Sequence, residues 1–335
     1  MGKRGNSIAK PHPVLDGLLM AALLAECISL YYILETDLLM TLCAMILVVA
    51  VAIFVVKATF RASGAWISST FLQHLGDPLK KKTTMKKFTD QSWQLAIHAS
   101  MTVLEIVVIM DETWWQDTRS MWNPESVTCD FPTQKYLTKF LYITQLAIWI
   151  YTAFSCKFLE EIRKDYLVMM THHVVTIALV SWSYAQGYLP VGVLILIVHD
   201  ASDIPLDLLK MANYMKLEGA SGLFITEGLF AIVLSVWFYV RIYLFPVKLI
   251  NSAFWENREA CMSPKDAHDL SILSFPGVPM WFGFNALLIT LYILHVWWGF
   301  LLVRLLVKVT THSVHDTAKD EYEGTSSDSE ASKED

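Results

Sequence analysis

Eight apolar segments, each long enough to cross a bilayer as a helix, constrain this chain more than any other feature. About 20 apolar residues are needed to span the hydrocarbon core, where only helices and closed barrels satisfy their backbone hydrogen bonds. The segments cover residues 14–34, 38–60, 89–110, 134–156, 167–185, 188–209, 220–244 and 280–306. Because 54% of the 335 residues are hydrophobic and only 17% are charged, the chain lacks the polar surface of a soluble protein. The sequence therefore predicts an all-α polytopic membrane protein with about eight transmembrane helices.

The spacing of these segments predicts the domain organisation. The connection between the first two is short, so residues 14–60 are expected to form an N-terminal transmembrane hairpin after a polar N-terminus at 1–13. A basic linker at 61–87 leads into six further spans at 88–308. Residues 309–335 are acidic and have no apolar pattern, which predicts a disordered tail.

Lysine and arginine predict the orientation, because they are enriched in cytosolic loops. With both termini in the cytosol, all but seven of the 26 basic residues lie on the cytosolic side, including the run KKKTTMKK at 80–87. The seven assigned to the lumenal side are Arg119, Lys135, Lys139, Arg241, Lys248, Arg258 and Lys265. These juxtamembrane clusters have no nucleic-acid-binding motif around them, so no nucleic acid is expected as a partner.

Residues 165–210 hold ionisable groups inside apolar runs such as VVTIALVSW and PVGVLILIV. A charged or polar group inside a membrane is costly unless it is paired, so a functional site is the default hypothesis. His199, Ser202 and Asp203 share one helix face by their spacing. The adjacent His172 and His173 diverge by about 100° around the helix axis, so only one is expected to point at a given spot. The other needs an orienting partner, for which a carboxylate of the next helix is the obvious candidate.

Two stretches, DYLVMMTHHVVT and SYAQGYLPVGVLILIVHDASDIPLDLLK, resemble the signature of the TLC-domain ceramide synthases. The last span, with Asn285 and His295, is similar to the N-LL-L-LH-W pattern of that family, and the resemblance covers roughly residues 85–308. It implies a barrel of six transmembrane helices. The linker is too short to hold the homeobox-like insert that many animal members carry. One departure is AQGYLPVG, where many members have an asparagine and an arginine, which puts the fit of the substrate in doubt more than the chemistry.

The resemblance implies a reaction and its participants. Ceramide synthases transfer a fatty acyl chain from acyl-CoA to the amino group of a sphingoid base, in the endoplasmic reticulum membrane. Long-chain acyl-CoA, the sphingoid base and membrane lipids are the expected partners, with no cofactor and no metal; a homodimer or an accessory subunit is left open. The expected catalytic residues are His172 as general base or acyl acceptor, His173 as its oriented partner, and Asp200 and Asp203 as groups that orient and stabilise charge. The expected substrate-binding or supporting residues are Asp165, Ser183, Tyr184, His199, Ser202, Lys210, Asn285 and His295.

Several alternatives remain open in the sequence. Other TLC-domain proteins act as lipid sensors or as cargo or translocation factors, without catalysis. A metal site of His172, His173, His199 and Asp203 is a further hypothesis, whereas a membrane di-iron site would need about eight clustered histidines.

Residues outside the signature carry smaller predictions. His98 and Glu105 are expected to make polar contacts between helices, and the tryptophans at 114, 115 and 122 to lie at the membrane interface. In the two lumenal loops, 111–133 and 245–279, Cys129 and Cys261 could pair as a disulfide if that side is oxidising.

Overall fold

The computed structural model describes residues 12–71, 78–110, 112–122, 135–160, 165–215, 217, 224–275 and 278–311. Its principal helices are α1 (Pro13–Ile33), α2 (Thr36–Ala62), α3 (Gly64–Phe71), α4 (Pro78–Met110), α5 (Tyr136–Phe158), α6 (Tyr166–Gln186), α7 (Leu189–Tyr214), α8 (Ile225–Cys261) and α9 (Trp281–Thr311). A short 3-10 helix covers Thr118–Met121. In these ranges β-pairing is limited to one isolated bridge between Phe275 and Val278. The predicted all-α fold is confirmed.

Seven of the helices are long and apolar enough to cross a membrane, namely α1, α2, α4, α6, α7, α8 and α9. The remaining predicted span, 134–156, is also a continuous helix, α5. It is less apolar because it carries polar side chains such as Thr144 and Gln145, and both of these are buried inside the protein. These two polar residues of α5 therefore face the interior of the bundle.

The six helices α4 to α9 close a ring. Going round it, α4 packs on α5, α5 on α6, α6 on α9, α9 on α8, α8 on α7, and α7 on α4 again. This is the six-helix barrel that the family resemblance implies. At one end, called the tail end, α9 leads toward residues 312–335; at the other, called the loop end, residues 262–280 connect α8 to α9.

The first two helices lie outside the ring and pack on different members of it. Helix α1 packs on α6, whereas α2 packs on α4 and α5. The carboxylate of Asp16 on α1 accepts hydrogen bonds from Lys157 Nζ at 2.6 Å and from the Tyr166 hydroxyl at 2.7 Å. Glu26 accepts one from the indole nitrogen of Trp182 at 3.2 Å. Helix α1 is therefore attached to α5 and α6 by polar contacts as well as by apolar packing.

Helix α8 is longer than the predicted span 220–244, which corrects the topology at the loop end. It runs to Cys261 without a break and is a π-helix over Trp237–Ile250. Pro246 lies in this stretch and has no backbone N–H to donate, and the Tyr292 hydroxyl donates to the carbonyl of Ile242 at 3.3 Å. Much of the predicted lumenal loop 245–279 is thus helical. The sequence-based boundary failed because a span of ordinary length was assumed.

A buried arginine organises the connection between α8 and α9. Arg258 is 0% exposed, and its guanidinium donates to the backbone carbonyls of Asp266, Ala267, Asp269 and Ile272 at 2.6–3.2 Å. Its Cζ also lies 4.6 Å from the ring centroid of Trp281. From the sequence, Arg258 was assigned to the lumenal side and given no further role. In the structure, Arg258 fixes the path of the loop.

Two of the three tryptophans predicted at the membrane interface are buried instead, namely Trp114, which is 7% exposed, and Trp122. Trp115 is 45% exposed, as expected of a residue at the membrane interface, but Trp122 is only 2% exposed. Its indole nitrogen donates to the Ser252 hydroxyl on α8 at 3.0 Å. Trp122 therefore packs into the loop end of the bundle, because α8 continues far enough to receive it.

Candidate active site

A polar cavity of about 240 Å³ lies inside the helical ring. Its polar lining comes from α4 to α8 and includes His98, Gln145, His172, His173, Asp200, Asp203 and Arg241. Asp165 and Lys210 line it as well. Since both lie at the tail-end limits of their helices, the cavity extends from mid-bundle toward the tail end.

Both members of the histidine pair line this cavity, with ring centroids 6.0 Å apart, so each ring reaches a different part of the wall. The rings of His172 and His173 lie edge-on to the indole of Trp149, with centroids 5.2 and 5.6 Å from it. Adjacent side chains diverge at the backbone, but Trp149 presents one broad surface that both rings reach. Sequence spacing alone does not include the width of the cavity.

The two histidines differ in how they are held. His173 Nδ1 lies 2.7 Å from the carbonyl oxygen of Met169, which only accepts, so Nδ1 carries the hydrogen. In the neutral ring, Nε2 of His173 then holds a lone pair. The Nδ1 atom of His172 is buried and has no hydrogen-bond partner among the described atoms. One imidazole is thus oriented by the backbone, and the other lines the cavity without a hydrogen bond to Nδ1 from the described residues.

The two aspartates do not orient these histidines, contrary to expectation. Asp200 Oδ2 accepts a hydrogen bond from Gln145 Nε2 at 2.6 Å. Asp203 Oδ1 forms an ion pair with Arg241 Nη2 at 2.7 Å. The same amide of Gln145 donates to Glu105 Oε1 at 2.9 Å. Carboxylates in an apolar interior need donors, and α5 and α8 supply donors that the signature does not contain.

Arg241 is the main residue that sequence reasoning missed. It was assigned to the lumenal segment, but it is 3% exposed and lines the cavity. Besides the pair with Asp203, its Nε donates to the Ser202 hydroxyl at 2.7 Å and its Nη2 to the carbonyl of His199 at 3.1 Å. A signal was present, since an arginine in the run WFYVRIYLF is costly in a membrane unless it is paired.

His199 and His295 form a hydrogen-bonded pair. His199 Nδ1 lies 2.6 Å from the carbonyl of Ile195, so it carries the hydrogen and leaves Nε2 as an acceptor in the neutral ring. His199 Nε2 lies 2.8 Å from His295 Nε2, which must therefore be the donor. The structure places both predicted supporting histidines beside the cavity, bonded to each other across the bundle.

His98 and Glu105 make the interhelical contacts that the sequence predicted, and His98 does more. Its Nδ1 lies 2.7 Å from Asp207 Oδ2, and Gln91 Nε2 donates to the other oxygen of Asp207 at 2.6 Å. His98 and Asp207 also line the polar cavity. This wall of the cavity comes from α4, outside the sequence signature.

A second, apolar cavity of about 60 Å³ lies toward the loop end. Trp149 lines both cavities, and His199 lines the apolar one. Other lining residues are Trp122, Tyr188, Ser183, Trp281, Asn285 and Leu288. The interior thus changes from polar at the tail end to apolar at the loop end, with the histidines at the transition.

The remaining predicted supporting residues have structural contacts. Asn285 Nδ2 donates to the carbonyls of Ala253 and Trp281, at 3.0 and 2.9 Å. The Ser183 hydroxyl donates to the Tyr142 hydroxyl oxygen at 3.3 Å. The ring of Tyr184 lies 6.2 Å from that of Tyr142 and lines neither cavity. Three predicted site residues line neither cavity: Tyr184, Ser202 and His295. The side chains of Ser202 and His295 still bond to residues that line a cavity, Arg241 and His199, whereas no described residue makes such a bond to the side chain of Tyr184.

Two further hypotheses concern metal ligands and cysteines. In the described ranges, no three His, Cys, Asp or Glu side chains are grouped closely enough to hold a metal ion, so the set His172, His173, His199 and Asp203 does not converge. Cys261 is disulfide-bonded, whereas Cys27, Cys43 and Cys156 are not part of a disulfide. Cys129 lies outside the described residues, so its pairing with Cys261 stays a prediction.

Comparison with known proteins places this architecture in a family. The model of the TLC domain, shared by TRAM, LAG1 and CLN8 proteins, matches residues 87–304. Ceramide synthase LOH2 of Arabidopsis thaliana is 31% identical over 261 residues, which cover 76% of this chain and 80% of the relative. Ceramide synthase 1 LOH3 of the same plant is 30% identical, with 70% and 73% covered. Human ceramide synthase 5 is 30% identical, with 68% and 52% covered. The chain therefore belongs to the TLC-domain family, and the relatives that it resembles over most of its length include ceramide synthases.

Proposed function

We propose that this protein is an acyl-CoA-dependent N-acyltransferase that joins a long-chain fatty acyl group to the amino group of a sphingoid base, forming ceramide or dihydroceramide. The relatives named ceramide synthase support this reaction. The observation that carries the proposal is the position of His172 and His173 in the polar cavity, against Trp149, which also lines the apolar cavity.

The two cavities suit the two parts of an acyl-CoA. A fatty acyl chain is apolar, and we expect it to extend toward the loop end, among side chains such as Leu288 and Trp281. The CoA head group is anionic and must stay in water, so it is expected at the tail end, where Lys210 lines the polar cavity. With the two parts bound in this way, we expect the thioester to lie near the histidine pair. The matching orientation has the tail end and both termini in the cytosol, in the endoplasmic reticulum membrane.

The chemistry is acyl transfer to nitrogen. The amine attacks the thioester carbonyl carbon, a C–N bond forms and the C–S bond breaks. The amine proton passes to an imidazole and then to the departing thiolate, which leaves as the CoA thiol. In the other route, an imidazole first displaces the thiolate as the acyl acceptor, and the amine then attacks the acyl-imidazole. His172, with no fixed partner, suits the reacting role, and His173 is held by Met169 as its neighbour.

The test is product formation by the purified full-length chain in lipid nanodiscs. Sphinganine and a panel of acyl-CoAs of increasing chain length are supplied, and ceramides are identified by mass spectrometry. We expect an amide product with a preferred chain length. A well-folded protein that forms no amide from any acyl-CoA would contradict the proposal and favour a non-catalytic lipid sensor or cargo factor.

A further inference from the structure

We propose that Arg241 binds the carbonyl oxygen of the acyl thioester and stabilises the negative charge that this oxygen acquires during transfer. The inference rests on the proposed acyltransferase function and adds a catalytic residue that lies outside the histidine and aspartate signature.

The first argument is how firmly the guanidinium is held. Two of its three nitrogens are anchored: Nε on the Ser202 hydroxyl, and Nη2 on Asp203 and on the carbonyl of His199. The guanidinium carbon also lies 4.4 Å from the ring centroid of Trp237. A donor fixed before the reaction stabilises a developing charge without further reorganisation, which is the requirement for an oxyanion-binding group.

The second argument is the remaining nitrogen. Nη1 makes no hydrogen bond to any residue that the structure describes, and it is not among the enclosed atoms that lack a partner. Because Arg241 lines the polar cavity, the two N–H groups of Nη1 are the ones left to donate into that space. An arginine buried for packing alone would be expected to use all of its donors on the protein.

The third argument is position. His172, His173 and Arg241 line the same cavity, so a carbonyl carbon attacked beside an imidazole has the guanidinium within the same enclosed space. When the amine or the imidazole adds to this carbon, the C=O electron pair moves to oxygen, and it returns as the C–S bond breaks. Arg241 serves both routes, because each passes through an oxyanion.

The experiment combines steady-state kinetics with the binding of two unreactive analogues to the full-length chain. Arg241→Lys keeps the positive charge but loses the planar guanidinium and its several fixed N–H donors. We expect kcat to fall about 100-fold or more, because the loss of one oxyanion-binding donor in other enzymes has an effect of this size. The KM for acyl-CoA should change much less. The control Arg119→Lys changes an arginine whose side chain is 70% exposed, and it is expected to leave kcat unchanged.

The analogues give a readout that does not need turnover. A 2-oxoalkyl-CoA keeps the carbonyl, whereas an S-alkyl-CoA lacks it. The parent protein is expected to bind the 2-oxoalkyl analogue more tightly, and Arg241→Lys to abolish this preference. Equal binding of the two analogues to the parent, or a folded Arg241→Lys variant with kcat within a few-fold of the parent, would overturn the assignment. Absence of ceramide formation by the parent would instead overturn the proposed function.

Discussion

His295 on α9 donates a hydrogen bond from Nε2 to Nε2 of His199 on α7, at 2.8 Å. The direction is set by the carbonyl of Ile195, which takes the other ring hydrogen of His199. His295 is 0% exposed, so no water competes for this contact. Two helices that are not neighbours in the ring are thus connected through a single hydrogen bond beside the reacting groups.

Replacing His295 should destabilise the protein by an amount that depends on whether the new side chain can donate a hydrogen bond. His295→Phe keeps a ring but leaves His199 Nε2 buried without a donor, at an expected cost of about 1–3 kcal/mol in the free energy of unfolding. His295→Gln retains an N–H donor and should cost less. Thermal unfolding in detergent compares the two variants. Equal melting temperatures would show that the hydrogen bond does not contribute to stability.

Gly192 is required because α5 approaches α7 closely there. A Cβ at this position would overlap the Tyr142 hydroxyl and lie 2.8 Å from the ring carbon Cζ. Gly192→Ala should therefore destabilise the protein by about 1–3 kcal/mol or more. Gly228→Ala is the matched control, since a Cβ there meets nothing within 4 Å. Similar melting temperatures for the two variants would contradict the close approach.

Trp122 closes the apolar cavity at the loop end, so its removal should enlarge that cavity. Trp122→Ala is expected to cost about 3–5 kcal/mol and, under the proposed function, to shift the acyl-CoA preference toward longer chains. Trp115→Ala, at an exposed position, should change neither property appreciably. Melting temperatures and product profiles across the acyl-CoA panel measure both effects. If a folded Trp122→Ala variant keeps the chain-length profile of the parent, the acyl chain does not bind in the apolar cavity.

Arg258 holds the connection between α8 and α9 through four backbone carbonyls. A lysine cannot reproduce the planar fork, so Arg258→Lys should leave several of these acceptors unpaired and loosen the loop. We expect faster amide hydrogen exchange over residues 262–272, with little change in α4. If the amide hydrogens of this loop exchange at the same rate in the variant and in the parent, Arg258 does not order the loop.

The sequence predicted the helices well because apolar length and the cost of buried charge are local properties. It placed His172, His173, Asp200 and Asp203 at one site for the same reason. The partners of the two aspartates could not be predicted, since Gln145 and Arg241 reach them from α5 and α8 through the packing of the ring. Arg241 was also misplaced because α8 is longer than an average span and contains a π-helical stretch.

The most direct test of the account is the rate of sphinganine N-acylation by the parent chain and three histidine variants. His172→Ala and His173→Ala should each abolish activity while the protein stays folded, and His268→Ala, an exposed histidine of the loop, should retain it. Activity that survives both substitutions in the pair would contradict the claim that these imidazoles carry out the acyl transfer.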